Sequence, residues 1–250
     1  LSADLERFMP WRTTDGTDVA PKGAPELSTL IEGVFEHRRL LDLLCHFTVF
    51  GETGSGLAKI IAGYHQFHAV RHAVNSTVTA SSPEGNQRVG VIWHTQGSGK
   101  SLTMVWLAKW IKENITGSRI LIVTDREELD DQIQGVFNGV GESIYRTSNG
   151  SALLAAIDGT LKDTTYGPAP SITCSLIHKF GSGVAGDELT AELIEQAAAD
   201  LTPEGKFFIF VDEAHRTQSG KMHRAMKELL PGAMFIGFGL KLAFTEQPSA

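Results

Sequence analysis

The sequence predicts an α/β fold: a parallel sheet flanked by helices and preceded by a helical connector. Three observations predict it. Short apolar runs alternate with helical patterns from Val89 onward. One of these runs, VGVIW, leads into a glycine-rich turn and then directly into the helical stretch SLTMVWLAKWI. Another, Phe207–Val211, is apolar throughout and ends on two adjacent carboxylates, Asp212 and Glu213. Strands buried on both faces read as unbroken apolar runs, and strand–helix alternation is the pattern of a parallel sheet covered on both sides.

In chain order, Leu1 to Gly23 is irregular, with Pro10 and Pro21, and is expected to lie over a surface as a connector. A helical pattern starts at Pro25 and carries Leu27, Leu30, Ile31, Val34, Leu40, Leu41 and Leu44. Leu40 to Phe50 is expected as helix running into a short extended piece, followed by a glycine-rich turn. A second helix is expected over Leu57–Val74, then a turn over Ser81–Asn86. Strands follow at Val89–Trp93, Arg119–Val123, Ile144–Arg146, Ser171–Ile177, Phe207–Val211 and Ala233–Phe238. Helices are expected at Leu102–Ile111, apolar on most sides and so buried, and at Asp125–Phe137. Gly181–Asp187 reads as a loop. No internal repeat is visible.

Composition narrows the functional classes. The 250 residues carry a net charge of −7, so no chain-wide basic field exists and any nucleic-acid contact must come from a local patch. The two cysteines, Cys45 and Cys174, stand in unrelated contexts without metal-ligand spacing, and a reduced, cytoplasmic setting is expected. No apolar run is long enough to cross a bilayer, and the N-terminus lacks a signal-peptide pattern. The chain begins with Leu rather than Met, as a processed piece or a fragment of a longer protein would.

Two stretches contain the glycines of a phosphate-binding loop. Such a loop needs backbone N–H groups converging on anionic oxygens, a Lys that reaches the outer phosphates, and a Ser or Thr directly after it for Mg²⁺. It should also follow a strand and open a helix. HTQGSGKS meets these demands: Gly97, Ser98 and Gly99 form the turn, and Lys100 and Ser101 follow in order. His94 departs from the small residue usual at the first position. GETGSGLAK, from Gly51 to Lys59, places Leu57 where the Lys should stand and is expected to be a plain connecting turn.

The partner of a phosphate loop is an acidic site at the carboxyl end of a buried strand. KFFIFVDEAH supplies it: Asp212 to hold Mg²⁺, Glu213 to polarise the attacking water. ATP and Mg²⁺ are therefore the expected ligands, and Lys100, Asp212 and Glu213 the expected catalytic residues.

The order and spacing of GYHQFHAV, WHTQGSGKSLTM, ILIVTDREELDDQ and FVDEAHRTQSG resemble a superfamily 2 helicase or translocase of DEAH type. More narrowly, they resemble the motor region of the restriction (R) subunit of type I restriction-modification enzymes. LIEGVFEHRRLLDLLCHFTVF is similar to the segment that joins nuclease and motor in that family. The resemblance implies a first RecA-like lobe over residues 57–238, a connector over 1–56, and a divergent end over 239–250, where GFGLKLAFTEQPSA departs from the family's pattern. It implies ATP-driven translocation of double-stranded DNA before cleavage by a separate nuclease domain, with methylation and specificity subunits as partners. It also implies that Tyr64 and Gln66 read adenine, that Thr124, Arg126, Thr173 and Lys179 touch DNA, and that His215 couples the two sites. The second lobe and its arginine finger are expected outside these residues, so hydrolysis by this stretch alone is expected to be slower by about 10³- to 10⁵-fold. Two alternatives stay open: another superfamily 2 DNA helicase, and a non-catalytic docking module built on an ATPase lobe.

Other residues invite over-reading. His65, His68 and His72 lie near helical spacing without a completing carboxylate or Cys, and are expected as helix-surface histidines. Trp106 and Trp110 sit one helical turn apart and are expected in the core. Glu127, Glu128, Asp130 and Asp131 read as a solvated helix face.

Overall fold

The computed structural model describes residues 9–21, 23, 26–53, 56–82, 84–95, 97–124, 127–163, 165–176, 201, 203–212 and 226–240. Its centre is a six-stranded, wholly parallel sheet. The strands are β3 (Arg88–His94), β4 (Ser118–Thr124), β5 (Tyr145–Arg146), β6 (Ile172–Leu176), β7 (Lys206–Asp212) and β8 (Met234–Leu240). Their spatial order is β3-β8-β7-β4-β6-β5. β8 takes in Gly239 and Leu240, which pair with Trp93 and His94. Because every strand runs the same way, all carboxyl ends meet on one rim, where ligands of open α/β sheets gather.

The alternation of side chains sorts the core into two layers. Ile120, Ile122, Phe208, Phe210, Ile236 and Phe238 face one side. There they meet α3 (Tyr64–Ala80), α4 (Lys100–Asn114) and α5 (Glu127–Gly139) through residues such as Phe67, Leu107 and Phe137. Leu121, Val123, Phe207, Ile209 and Val211 face the other side, against Leu153 and Ile157 of α6 (Gly150–Asp158) and against Met226, Leu229 and Leu230. α4 is buried over Thr103–Ala108 and again at Ile111, as its all-round apolar pattern predicts, and Trp106 lies inside it. On the second face, Arg119 clamps the sheet to α6. Its guanidinium donates to the carbonyls of Ala156 and Ile157 and lies 4.7 Å from the centre of the Phe207 ring.

The first part of the chain differs most from expectation. The helical pattern after Pro25 splits into α1 (Glu26–Val34) and α2 (His37–His46). Glu36 makes the break, because its carboxylate accepts from the backbone N–H groups of Arg38 and Arg39 and so starts a new helix. Residues 57–61, expected as helix, are strand. β1 (Thr48–Thr53) and β2 (Gly56–Ile61) form an antiparallel hairpin, in register from Thr48–Ile61 to Thr53–Gly56. Thr48, Val49, Ile60 and Ile61 are β-branched and stiff at χ1, which favours the extended chain. Gly63 then caps α3. Within GETGSGLAK, residues 51–53 and 56–59 thus belong to the two arms of a hairpin, which spans the position between residues 56 and 57.

The N-terminal connector is anchored rather than merely laid over the surface. Trp11 is 8% exposed and packs on Tyr64, Phe67 and His68 with ring centres 5.9–6.3 Å apart. α6 was not anticipated from the sequence. Asn149 caps its start by accepting from Ala152 N–H, and Gly159 ends it at φ +73°. Gly181–Asp187 lies outside the described residues.

Candidate nucleotide-binding site

The phosphate loop joins β3 to α4 on the carboxyl rim. Gly97 and Gly99 have φ of +77° and +80°, a region that glycine enters without strain. Gly99 is needed for a second reason: a Cβ there would lie 2.3 Å from Nε2 of Gln66. α4 begins at Lys100, so its first N–H groups lack intrahelical partners and carry the positive end of the helix dipole. An anion is favoured there.

The two expected halves of the site come together. Lys100 Nζ lies 2.6 Å from Asp212 Oδ1, with the side chains only 14% and 1% exposed. Strand register explains the meeting. Asp212 continues the Phe208–Phe210 face of β7, the face that α4 covers, and β8 alone separates β7 from β3. A carboxylate this buried needs a counter-charge, and the Lys100 ammonium supplies it. Ser101, half-buried, is the second residue of α4. The Ser101 hydroxyl and the Asp212 carboxylate are hard oxygen donors on the same rim. Mg²⁺ uses few protein ligands and keeps waters and phosphate oxygens, so this donor set fits it. Among the described residues no cluster of three or more His, Cys, Asp or Glu is placed to hold a metal.

Gln66 is 5% exposed and tied down at both ends of its amide. Oε1 accepts from Gly63 N–H at 3.0 Å, and Nε2 donates to the Gly99 carbonyl at 3.1 Å. Tyr64 starts α3, half-buried, its ring edge-on to Trp11 and His65. Thr124, 1% exposed, ends β4 on the same sheet face as Asp212, and its hydroxyl has no partner. Thr173 is not brought to this rim. It is the second residue of β6, buried between Leu121 and Tyr145 of the flanking strands. Arg126, Lys179, Glu213 and His215 lie outside the described residues.

Sequence reasoning missed the part played by histidines. His65 Nε2 lies 2.9 Å from the Ser98 carbonyl, and His94 Nδ1 lies 3.0 Å from Ser98 Oγ. Burial, with His65 and Lys100 nearby, holds the His94 imidazole down to about 4. His68 is not a surface residue either: it is half-buried against Trp11 and Phe67, and desolvation holds it down to about 4. Only His72 of that group is exposed. The signal available beforehand was the oversized first residue of the loop.

A parallel sheet with a glycine loop opening a helix, and a buried Asp two strands away, defines a RecA-like lobe. The chain belongs to the SWI2/SNF2 ATPase family, whose model matches residues 65–240. It is 33% identical over 95% of its length to the type I restriction enzyme HindI endonuclease subunit of Haemophilus influenzae. It is 25% identical over 89% of its length to a type I restriction enzyme endonuclease subunit of Staphylococcus aureus. The chain spans 23% and 22% of those two relatives. The fold is similar to that of the UvsW helicase from bacteriophage T4, with a TM-score of 0.50 at 16% identity over 82% of this chain and 60% of that one.

Proposed function

We propose that this chain is the ATP-binding and hydrolysing motor lobe of a cytoplasmic type I restriction enzyme R subunit. In the whole enzyme it drives translocation of double-stranded DNA before endonucleolytic cleavage, together with methylation and specificity subunits. The observation that supports the reading is the 2.6 Å approach of Lys100 to Asp212, two residues far apart in sequence whose ion pair is what the two halves of an ATP site would make while empty.

Each residue then has a task. The N–H groups of Gly97 to Lys100 cradle the phosphates, and Lys100 exchanges the Asp212 carboxylate for outer phosphate oxygens. Ser101 and Asp212 would hold Mg²⁺, which neutralises charge developing on those oxygens. Glu213 accepts the proton of the attacking water. Gln66 keeps one N–H and one Oε1 lone pair beyond its present bonds, enough for adenine's donor–acceptor edge, with Tyr64 beside it. Thr124, Arg126 and Lys179 serve the DNA backbone, and His215 couples that contact to the nucleotide; Thr173, buried inside the sheet, takes no part.

Calorimetric titration of ATP–Mg²⁺ into the parent chain, Lys100→Ala and Ser101→Ala tests this. Both substitutions should weaken binding at least tenfold; affinities equal to the parent's would sink the reading.

A further inference from the structure

The loop's first position holds His94, and the proposed function leaves it without a task. The bonds around it settle its chemical form. The Ser98 hydroxyl has one proton, and that proton is spent on the Thr95 carbonyl, 2.8 Å away. Ser98 Oγ can therefore only accept from His94, so the Nδ1 of His94, 3.0 Å distant, carries a hydrogen and donates it. On the other side of the same residue the Ser98 carbonyl can only accept, so Nε2 of His65, at 2.9 Å, donates to it. Ser98 is thereby held by its hydroxyl and by its carbonyl at once. The next carbonyl, that of Gly99, is held by Gln66.

We infer that His94 is a positioning residue of the phosphate loop: in its neutral Nδ1–H tautomer it fixes Ser98 from β3, while His65 fixes Ser98 from α3, so that the loop keeps its anion-receiving shape when empty. Two further facts agree with the tautomer. Nε2 of His94 is buried without a partner, in a residue 4% exposed. A buried acceptor left without a partner is less costly than a buried N–H donor left without one. The imidazole is also kept neutral at pH 7, being held down to about 4. A small residue, usual at this position, could make no such bond.

The tautomer gives the inference a sharp test. Asn places its amide nitrogen where Nδ1 stands, whereas Gln reaches the place of Nε2. ATP–Mg²⁺ affinity of His94→Asn should stay within about twofold of the parent's. His94→Gln and His94→Ala should each weaken it by about 5- to 10-fold, the worth of one ordinary hydrogen bond, and Ser98→Ala, which also loses the bond to the Thr95 carbonyl, by at least as much. His94→Ala with Ser98→Ala together should lose no more than Ser98→Ala alone, since the bond that His94→Ala removes is already gone with the Ser98 hydroxyl. Additive losses, or equal behaviour of Asn and Gln, would overturn the inference. Independently of nucleotide, long-range ¹H–¹⁵N spectra of the histidine rings should show His94 with a protonated Nδ1 and a bare Nε2, the signal being assigned by its loss in His94→Asn; a protonated Nε2 would overturn it. The inference rests on the loop being the nucleotide site, and the two fail differently. If Lys100→Ala binds as the parent does, the proposed function falls and the ring spectra alone decide the role of His94. If Lys100→Ala loses binding while the His94 variants do not, only the inference falls.

Discussion

Gly33 provides a substitution whose sign is contested between local and tertiary physics. It lies in α1, where Ala is intrinsically better than Gly by about 1 kcal/mol. A stabilised protein is the local expectation for Gly33→Ala. The structure argues the reverse. A Cβ at residue 33 would lie 2.4 Å from Cδ1 of Trp11 and 2.7 Å from the backbone carbonyl of Thr13. The backbone contact cannot be relieved by a rotamer change, and Trp11 is hemmed in by Tyr64, Phe67 and His68. Overpacking of this kind costs about 1–3 kcal/mol, so Gly33→Ala should end up destabilised by up to about 2 kcal/mol once the helix gain is subtracted. Trp11→Ala alone should lose about 3–5 kcal/mol. The double variant should be less destabilised than the sum by about 1 kcal/mol or more, because removing the indole relieves part of the clash. Urea unfolding followed by far-ultraviolet circular dichroism measures all three. If Gly33→Ala proves more stable than the parent, the connector does not pack on α1 and α3 as described.

Three further outcomes follow from the same structure. His68 and His94 are both held down to about 4 against an ordinary 6.5, so the unfolded chain takes up their protons first; stability should be full above pH 6.5 and fall between 6.5 and 4, by up to about 1.4 kcal/mol per pH unit for each, as urea midpoints at stepped pH would report. Arg119→Lys removes a planar fork that serves two carbonyls of α6 and stacks on Phe207, and should cost about 1–3 kcal/mol in the same assay; an unchanged midpoint would contradict the clamp. Cys45 is exposed and Cys174 fully buried, so a thiol reagent should label one cysteine quickly in the native protein and the second only on unfolding.

The sheet and the nucleotide-binding words were legible because their chemistry is local. Five apolar residues in a row at Phe207–Val211, or a Lys–Ser pair after glycines, mean the same thing in any context. The hairpin at Thr48–Ile61 was not, since residues 57–61 suit a buried helix as well as a strand until the pairing with β1 is known. α6 was legible in principle through Asn149 and Gly159, but its Ala-rich middle shows little periodicity. Trp11 gave no signal at all: an aromatic in an irregular segment has no period from which to infer a partner. The Ser98 clasp depends on α3 crossing the loop, a tertiary fact that spacing does not encode.

The strand order has a consequence for how the molecule comes into being. Among the described residues β3 pairs only with β8, so residues 88–94 wait for residues 234–240 before gaining a strand partner. During synthesis the sheet can grow from β4, β6 and β7 while the strand bearing the phosphate loop stays unpaired. Contacts so remote in sequence are slow to form and leave an apolar strand open to aggregation in the interval. Val91 and Trp93, about half exposed even in the finished fold, lie on that strand. The loop that receives the phosphates is thus carried by a strand whose pairing partner lies far downstream, with two strands of the same sheet, β4 and β6, between them in sequence and paired with each other.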